Sequence, residues 1–222
     1  MGGYGIMKET EQKKMGQWMT PEDIVNKMLD FAPVKWYAGN ILEPTAGNGN
    51  IVIGILNKKI DLGMTPQQAI DTTYANEFDE VMFNDLVNRV VDWCKDHDCE
   101  ANRDRIFNQD ARTLSLGDID YNIITNLPFG SWNNSSLPRQ IINNMKKPAV
   151  YLTKWSTGCN QKYCRSVLKF ENVVFPGIVY DCLLWLYDPK VVYDEPQVWI
   201  YWPIPRFPKH KLKKVVLTKE KL

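Results

Sequence analysis

The sequence predicts an α/β fold, a doubly wound and mainly parallel sheet that ends in an antiparallel C-terminal hairpin. Apolar runs of strand length recur from residue 40 onward, each closed by a polar or glycine-containing turn. Stretches with apolar residues at helical spacing lie between most of them. Strands that alternate with helices need crossover connections and therefore pair in parallel. The last two runs depart from this, because a Pro/Asp-rich turn joins them with no helix between, and such a pair sits antiparallel at a sheet edge.

Each element has a local reason. Thr20 is a good N-cap for the first helix, with Pro21 in the first helical position and Glu22 and Asp23 at the positive helix end. Ile24, Val25, Met28 and Leu29 then share one face. A short buried strand is expected over 40–44, followed by Gly47 and Gly49 and by a helix through Ile51, Val52, Ile55 and Leu56. Thr65-Pro66-Gln67-Gln68 reads as a further helix start, a small insertion before a second strand over 72–76. Residues 79–96 form an amphipathic helix with Val81, Met82, Leu86, Val90 and Trp93 inward. Third and fourth strands are expected over 105–108 and 121–125. A helix near 136–146 precedes a fifth strand over 149–153, and the hairpin strands cover 179–187 and 197–202.

The length fits one α/β domain over 15–205, between a flexible N-terminal segment over 1–14 and a basic C-terminal tail over 206–222. A formal net charge of +1 means that any nucleic-acid surface must be a local patch. Lys209, Lys211, Lys213, Lys214, Lys219 and Lys221 in the tail, with Arg139, Lys146, Lys147 and Lys154, are either that patch or ordinary solvated charge. The five cysteines lack paired metal-ligand spacing and read as free thiols of a reducing compartment. No run approaches a membrane span and no signal-peptide pattern opens the chain, so a cytoplasmic protein without bound metal is expected.

Four segments carry candidate chemistry, each at a strand end, where open α/β sheets bind ligands. In Glu43-Pro44-Thr45-Ala46-Gly47-Asn48-Gly49 a carboxylate ends a strand and a Gly-x-Gly turn opens a helix. Glycines let backbone amides approach a ligand, although tight structural turns use them too. A carboxylate this close disfavours phosphates and suits the cationic end of a ligand. Glu77, past the second strand, can take both hydroxyls of a ribose or serve as a helix N-terminal acid, a role that Asp79 and Glu80 fit better. Asp110, past the third strand, can accept from an adenine amino group or start a turn. Asn126-Leu127-Pro128-Phe129 follows the fourth strand.

With Glu43-Pro44-x-x-Gly47-x-Gly49 upstream, Asn126-Leu127-Pro128-Phe129 resembles the (Asp/Asn/Ser)-Pro-Pro-(Tyr/Phe) motif of class I S-adenosylmethionine-dependent amino-methyltransferases. Gly16-Gln17-Trp18-Met19-Thr20-Pro21 resembles the cofactor motif that precedes the core in gamma-class N6-adenine DNA methyltransferases. The resemblance implies a Rossmann-like fold and S-adenosylmethionine as cofactor, bound by Trp18, Thr20, Glu43, Thr45, Gly47, Gly49, Glu77 and Asp110. It implies direct methyl transfer to N6 of adenine in DNA. The Asn126 side-chain oxygen and the Leu127 carbonyl would each accept one hydrogen of the target amine, and Phe129 would stack on the extruded base beside Pro128.

Leu127 stands where the DNA enzymes usually have Pro. Pro128 still holds residue 127 extended, and if only its carbonyl acts, Leu127→Pro should be tolerated. Asn-Leu-Pro-(Tyr/Phe) also resembles the dimethyladenosine rRNA methyltransferases, so an adenine-N6 RNA methyltransferase is the alternative. A catalytically silent, cofactor-binding subunit of a larger complex is a third reading. Gamma-class enzymes usually carry a separate target-recognition domain, so recognition is expected to be loose, built from loops, or supplied by a protein partner or a homodimer.

Overall fold

The computed structural model describes residues 19–128, 137–154, 182–187, 197–201 and 213–216. Its helices are α1 (Glu22–Phe31), α2 (Asn50–Asp61), α3 (Pro66–Asp71), α4 (Glu80–Asp96) and α5 (Leu137–Met145). Its strands are β1 (Ile41–Glu43), β2 (Thr73–Asn76), β3 (Ile106–Phe107), β4 (Asn122–Asn126), β5 (Ala149–Lys154), β6 (Cys182–Tyr187), β7 (Gln197–Tyr201) and β8 (Lys213–Val216).

The eight strands form one sheet in the order β3-β2-β1-β4-β5-β6-β7-β8. The first five pair in parallel. β5 pairs antiparallel with β6, β6 with β7, and β7 with β8. The chain runs outward from β1 through β2 to β3, then returns to place β4 on the other side of β1. That reversal opens a crevice at the carboxyl ends of β1 and β4, the usual ligand position of such sheets.

Successive strand residues face opposite sides and helices cover both. Ile41, Ile124, Val150 and Leu152 pack against Ile24, Val25, Met28 and Leu29 of α1 and Ile51 and Ile55 of α2. Their neighbours Leu42, Ile123 and Tyr151 pack on the other face with Ile141, Ile142 and Met145 of α5. A third cluster joins Val52 and Leu56 of α2 to Ala69 and Ile70 of α3 and to Leu86, Val90 and Trp93 of α4.

Three expectations need correcting. Thr20 does not cap α1: the helix begins one residue later, Pro21 is its N-cap residue, and no side chain caps it. The Thr20 hydroxyl is engaged across the crevice instead, accepting from Asn126 Nδ2 at 3.0 Å. Val81 is 52% exposed and is not part of the inward face of α4; it lies in the first turn, near the crevice. Lys213–Val216, expected within a basic tail, forms β8 and takes the sheet edge outside β6 and β7. Edge strands rich in lysine discourage further strand pairing.

The insertion around Thr65 is a full capping box. The Thr65 hydroxyl accepts from Gln68 N at 3.2 Å, and the Gln68 side chain accepts from Thr65 N at 3.0 Å. Beside it the wholly buried Lys59 donates its Nζ to Gly39 O, Thr72 O and Thr72 Oγ1, tying α2 to the entries of β1 and β2.

Candidate active site at the carboxyl ends of the strands

A cavity of about 540 Å³ opens at the crevice, within the roughly 300–1,000 Å³ range of small-molecule sites. The segment after β1 contributes Pro44 through Asn48, the segment after β2 Asn76 through Glu80, and the segment after β3 Asp110, Ala111 and Arg112. Asn126, Leu127 and Pro128 close it from β4, Met19 and Thr20 from the N-terminal side, and Leu137 and Ile141 from α5. Segments separated by more than a hundred residues, such as Thr20 and Asn126, therefore converge. Trp18 and Phe129 lie outside the described residues, as do the side chains of Arg139 and Lys154.

The glycine turn has a physical reason at two positions. Gly49 has φ +89°, a conformation that favours glycine, and α4 packs close to it, since a Cβ there would lie 2.7 Å from the Leu86 Cδ1 methyl. Gly47 has φ +55° and would meet nothing within 4 Å. Backbone conformation alone requires it, and its bare face borders the cavity.

Glu77 joins two strand ends. Its Oε2 accepts from Gly47 N at 2.7 Å and its Oε1 from Asp79 N at 2.8 Å. Asp79, not Glu77, caps α4, with its carboxylate accepting from Met82 N at 3.0 Å. Glu77 is 8% exposed, and burial raises its pKa against the backbone amides of Asp79, Gly47 and Phe78 that lower it.

Glu43 is fully buried and stands behind the cavity wall, which Thr45 forms in front of it. Glu43 Oε1 accepts from Thr125 Oγ1 at 2.6 Å, Thr45 N at 3.0 Å and Thr45 Oγ1 at 3.2 Å. Its Oε2 is buried with no hydrogen-bond partner among the described residues. Burial pushes the carboxyl up to about 8, against the hydrogen bonds from Thr125 and Thr45. The protonated form thus stabilises the fold fully below the ordinary carboxylate range, and this contribution is lost as pH rises toward 8. Wild-type stability relative to Glu43→Gln is expected to fall between about pH 5 and about pH 9 in denaturation experiments. A gap that does not vary with pH would mean that Glu43 ionises in the ordinary range.

Asp110 lines the cavity and starts a turn at once. Its Oδ1 accepts from Arg112 N at 2.9 Å, while Thr113 N and Leu114 N donate to its carbonyl. The Arg112 guanidinium grips both carboxylate oxygens and holds Asp110 below its usual pKa.

Leu127 behaves differently from the expectation drawn from its carbonyl alone. Its side chain is 1% exposed within the core, and its N–H donates to Leu152 O at 3.0 Å. Leu127→Pro removes both the donor and the packed side chain. We expect a loss of roughly 2–5 kcal/mol in chemical denaturation, in place of the tolerance inferred from the sequence.

Three residues escaped the sequence reading. Asn76 is fully buried and clamps two strand ends: its Nδ2 donates to Pro44 O and Gln109 O, each at 2.9 Å, and its Oδ1 accepts from Gln109 N at 3.0 Å. Thr125, also fully buried, holds Glu43 as described. Phe78, 71% exposed, flanks Glu77 at the cavity mouth. A polar residue closing a buried strand was the available signal for Asn76 and Thr125, but their partners come from other strands. An exposed Phe has no signature in sequence.

No protein-family model and no curated protein matches the sequence. Solved structures do. A protein from Pyrococcus horikoshii assigned as an RNA methyltransferase is 14% identical with a TM-score of 0.53, the match covering 98% of this chain and 91% of that one. A chain from Vibrio vulnificus YJ016, assigned as the modification subunit of a type I restriction enzyme, is 16% identical with a TM-score of 0.58 over 86% of this chain and 48% of that one. The EcoKI M protein is 15% identical with a TM-score of 0.56, covering 87% and 50%. The chain has the methyltransferase fold. It spans about half the length of the two restriction-system subunits and nearly all of the archaeal protein. At these identities the likeness concerns the fold.

Proposed function

We propose that this protein transfers a methyl group from S-adenosylmethionine to the N6 amino group of adenine in DNA. The observation that carries the reading is the convergence of Thr20, Gly47, Glu77, Asp110 and Asn126 on one cavity in a methyltransferase fold. The residues suit the cofactor. Glu77 supplies a carboxylate for two ribose hydroxyls, Asp110 an acceptor for the adenine amino group, and exposed Phe78 an apolar face for its ring. Thr20 stands ready for the carboxylate of the amino-acid portion. Glu43, buried behind Thr45, holds the turn that borders the cavity through its bonds from Thr45 and Thr125. When bound, S-adenosylmethionine supplies the electrophilic methyl group.

The target amine is conjugated to its ring and is a weak nucleophile. Acceptors at both hydrogens localise its lone pair toward the donor. Asn126 supplies one and the Leu127 carbonyl the other, with rate enhancement coming from positioning and preorganised polarity. Leu127 is well suited, because its buried side chain and its bond to Leu152 fix the backbone that presents the carbonyl.

DNA is favoured by the N-terminal motif and by the likeness to restriction-system modification subunits. RNA is the second reading, supported by Leu127 and by the end-to-end match to a protein assigned as an RNA methyltransferase. A cytoplasmic setting agrees with free thiols at Cys94 and Cys99. Among the described residues no helix is long and apolar enough to cross a membrane.

Labelled S-adenosylmethionine incubated with DNA, RNA and protein tests the reading directly. We expect label at adenine N6 of DNA, with affinity falling linearly in log salt. Label in RNA alone selects the second reading, and label in none of the three points to a silent subunit.

A further inference from the structure

Asp110 and Arg112 stand on the same wall of the cavity, in the segment after β3. The main chain beneath them is fixed. Thr113 N and Leu114 N donate to Asp110 O at 2.9 and 3.0 Å, and Ala111 and Leu114 are buried in the core. A further main-chain bond aims the carboxylate, from Arg112 N to Asp110 Oδ1 at 2.9 Å. The Arg112 side chain then folds back over it. Its Nε donates to Oδ1 and to Oδ2, each at 2.9 Å, and its Nη2 donates to Oδ2.

Each carboxylate oxygen thereby receives two donors. An ionised carboxylate has about four acceptor positions, so one neighbour saturates Asp110. The adenine amino group of the cofactor needs the same carboxylate. Its N–H meets filled positions, and the guanidinium charge repels its positive hydrogen. The two donors therefore exclude each other. The pair is also easily opened: the Arg112 side chain is 47% exposed and that of Asp110 28%, and exposed ion pairs hold weakly. When the guanidinium swings into solvent, the Arg112 N–H bond persists because it belongs to the main chain. Asp110 then stays aimed, with acceptor positions open on both oxygens.

We propose that Arg112 sets the affinity and the amino-group selectivity of the adenine subsite by competing with the cofactor for Asp110. Opening the pair costs every ligand that uses Asp110 as its acceptor. A purine ligand without the amino group leaves the pair closed and bears no such cost. Arg112 accordingly narrows the gap in affinity between the two kinds of ligand. The competition rests on the cofactor reading given above.

Calorimetry of the whole chain with two ligands tests it: S-adenosylhomocysteine, and its analogue with hydrogen in place of the adenine amino group. Arg112→Ala is expected to tighten S-adenosylhomocysteine about twofold to fivefold, the value of an exposed ion pair, and to leave the analogue unchanged. Arg112→Lys, which keeps the charge but lacks the planar fork, should give a smaller gain. In an Asp110→Asn background, with no carboxylate to compete for, the gain from Arg112→Ala should vanish. Side-chain ¹⁵N NMR follows the exchange of partners directly, with the Arg112 Nε–H assigned by its loss in Arg112→Lys. Saturation with S-adenosylhomocysteine should speed hydrogen exchange at this group by a similar factor, and the analogue should not. Unchanged or weaker binding of S-adenosylhomocysteine by Arg112→Ala, or equal tightening of both ligands, overturns the competition and leaves the cofactor reading standing. Failure of the wild type to bind S-adenosylhomocysteine removes the cofactor reading and the competition with it.

Discussion

Asn126→Ala is expected to lower methyl transfer by on the order of 10²–10³, comparable to removing one oriented group from an oxyanion hole, while cofactor affinity stays nearly unchanged. Asn126 ends β4, which pairs with β1 in the register Ile41 to Asn122 and Leu42 to Ile123. That register brings the end of β4 beside the turn after β1: Thr45 Oγ1 lies 3.2 Å from Asn126 O. The amide is held on one side by Thr20 and its strand is anchored by the Leu127 to Leu152 bond. Little reorganisation is then needed during reaction, and the group's removal should appear in the chemical step. Asn126→Asp should be milder, because an acceptor oxygen remains. Single-turnover transfer from labelled S-adenosylmethionine, with calorimetry of S-adenosylhomocysteine on the same samples, separates rate from binding. Full turnover by Asn126→Ala would remove this residue from the chemistry and bring the silent-subunit reading forward.

Glu77→Ala is expected to weaken cofactor binding by on the order of hundredfold, since hydrogen bonds to a charged group contribute about 1.5–3 kcal/mol each. The structure adds a second source of loss. Glu77 also accepts from Gly47 N and Asp79 N, so it shapes the glycine turn as well as facing the cavity. Its pH dependence has a definite sign. Burial raises the Glu77 pKa, and only the ionised carboxylate is an acceptor at both oxygens. Affinity should therefore fall as pH drops through that raised value, from above the ordinary carboxylate range downward. Calorimetry across pH on wild type and Glu77→Gln is the measurement. Wild-type affinity in Glu77→Ala would take the ribose role away from this residue.

Much of this was legible in the sequence because it depends on local patterns. Five strands in parallel follow from apolar runs alternating with helical periodicity, and the paired strands β6 and β7 follow from two such runs without a helix between. Asp79 at the start of α4 and Thr65 with Gln68 at the start of α3 are local capping chemistry, readable within four residues. Gly47 and Gly49 mark a tight turn by composition. Glu43, Glu77, Asp110 and Asn126 stand out because each closes or follows a strand, and strand ends on one side of a parallel sheet point to one crevice.

What each of those side chains touches was decided by the tertiary structure alone, because hydrogen-bond partners across a sheet depend on strand order and register rather than on proximity in the chain. Thr20 reads as a helix cap until β4 brings Asn126 to it. Glu43 reads as a ligand contact until Thr45 and Thr125 close over it and bury the carboxyl. Leu127 reads as a bare carbonyl until the β4–β5 register gives its N–H to Leu152 and its side chain to the core. The sequence by itself determined the chemical groups and the end of the sheet at which they gather. Packing determined which are buried, which are already paired and which still face the cavity, since burial and pairing are properties of neighbours drawn from the whole chain.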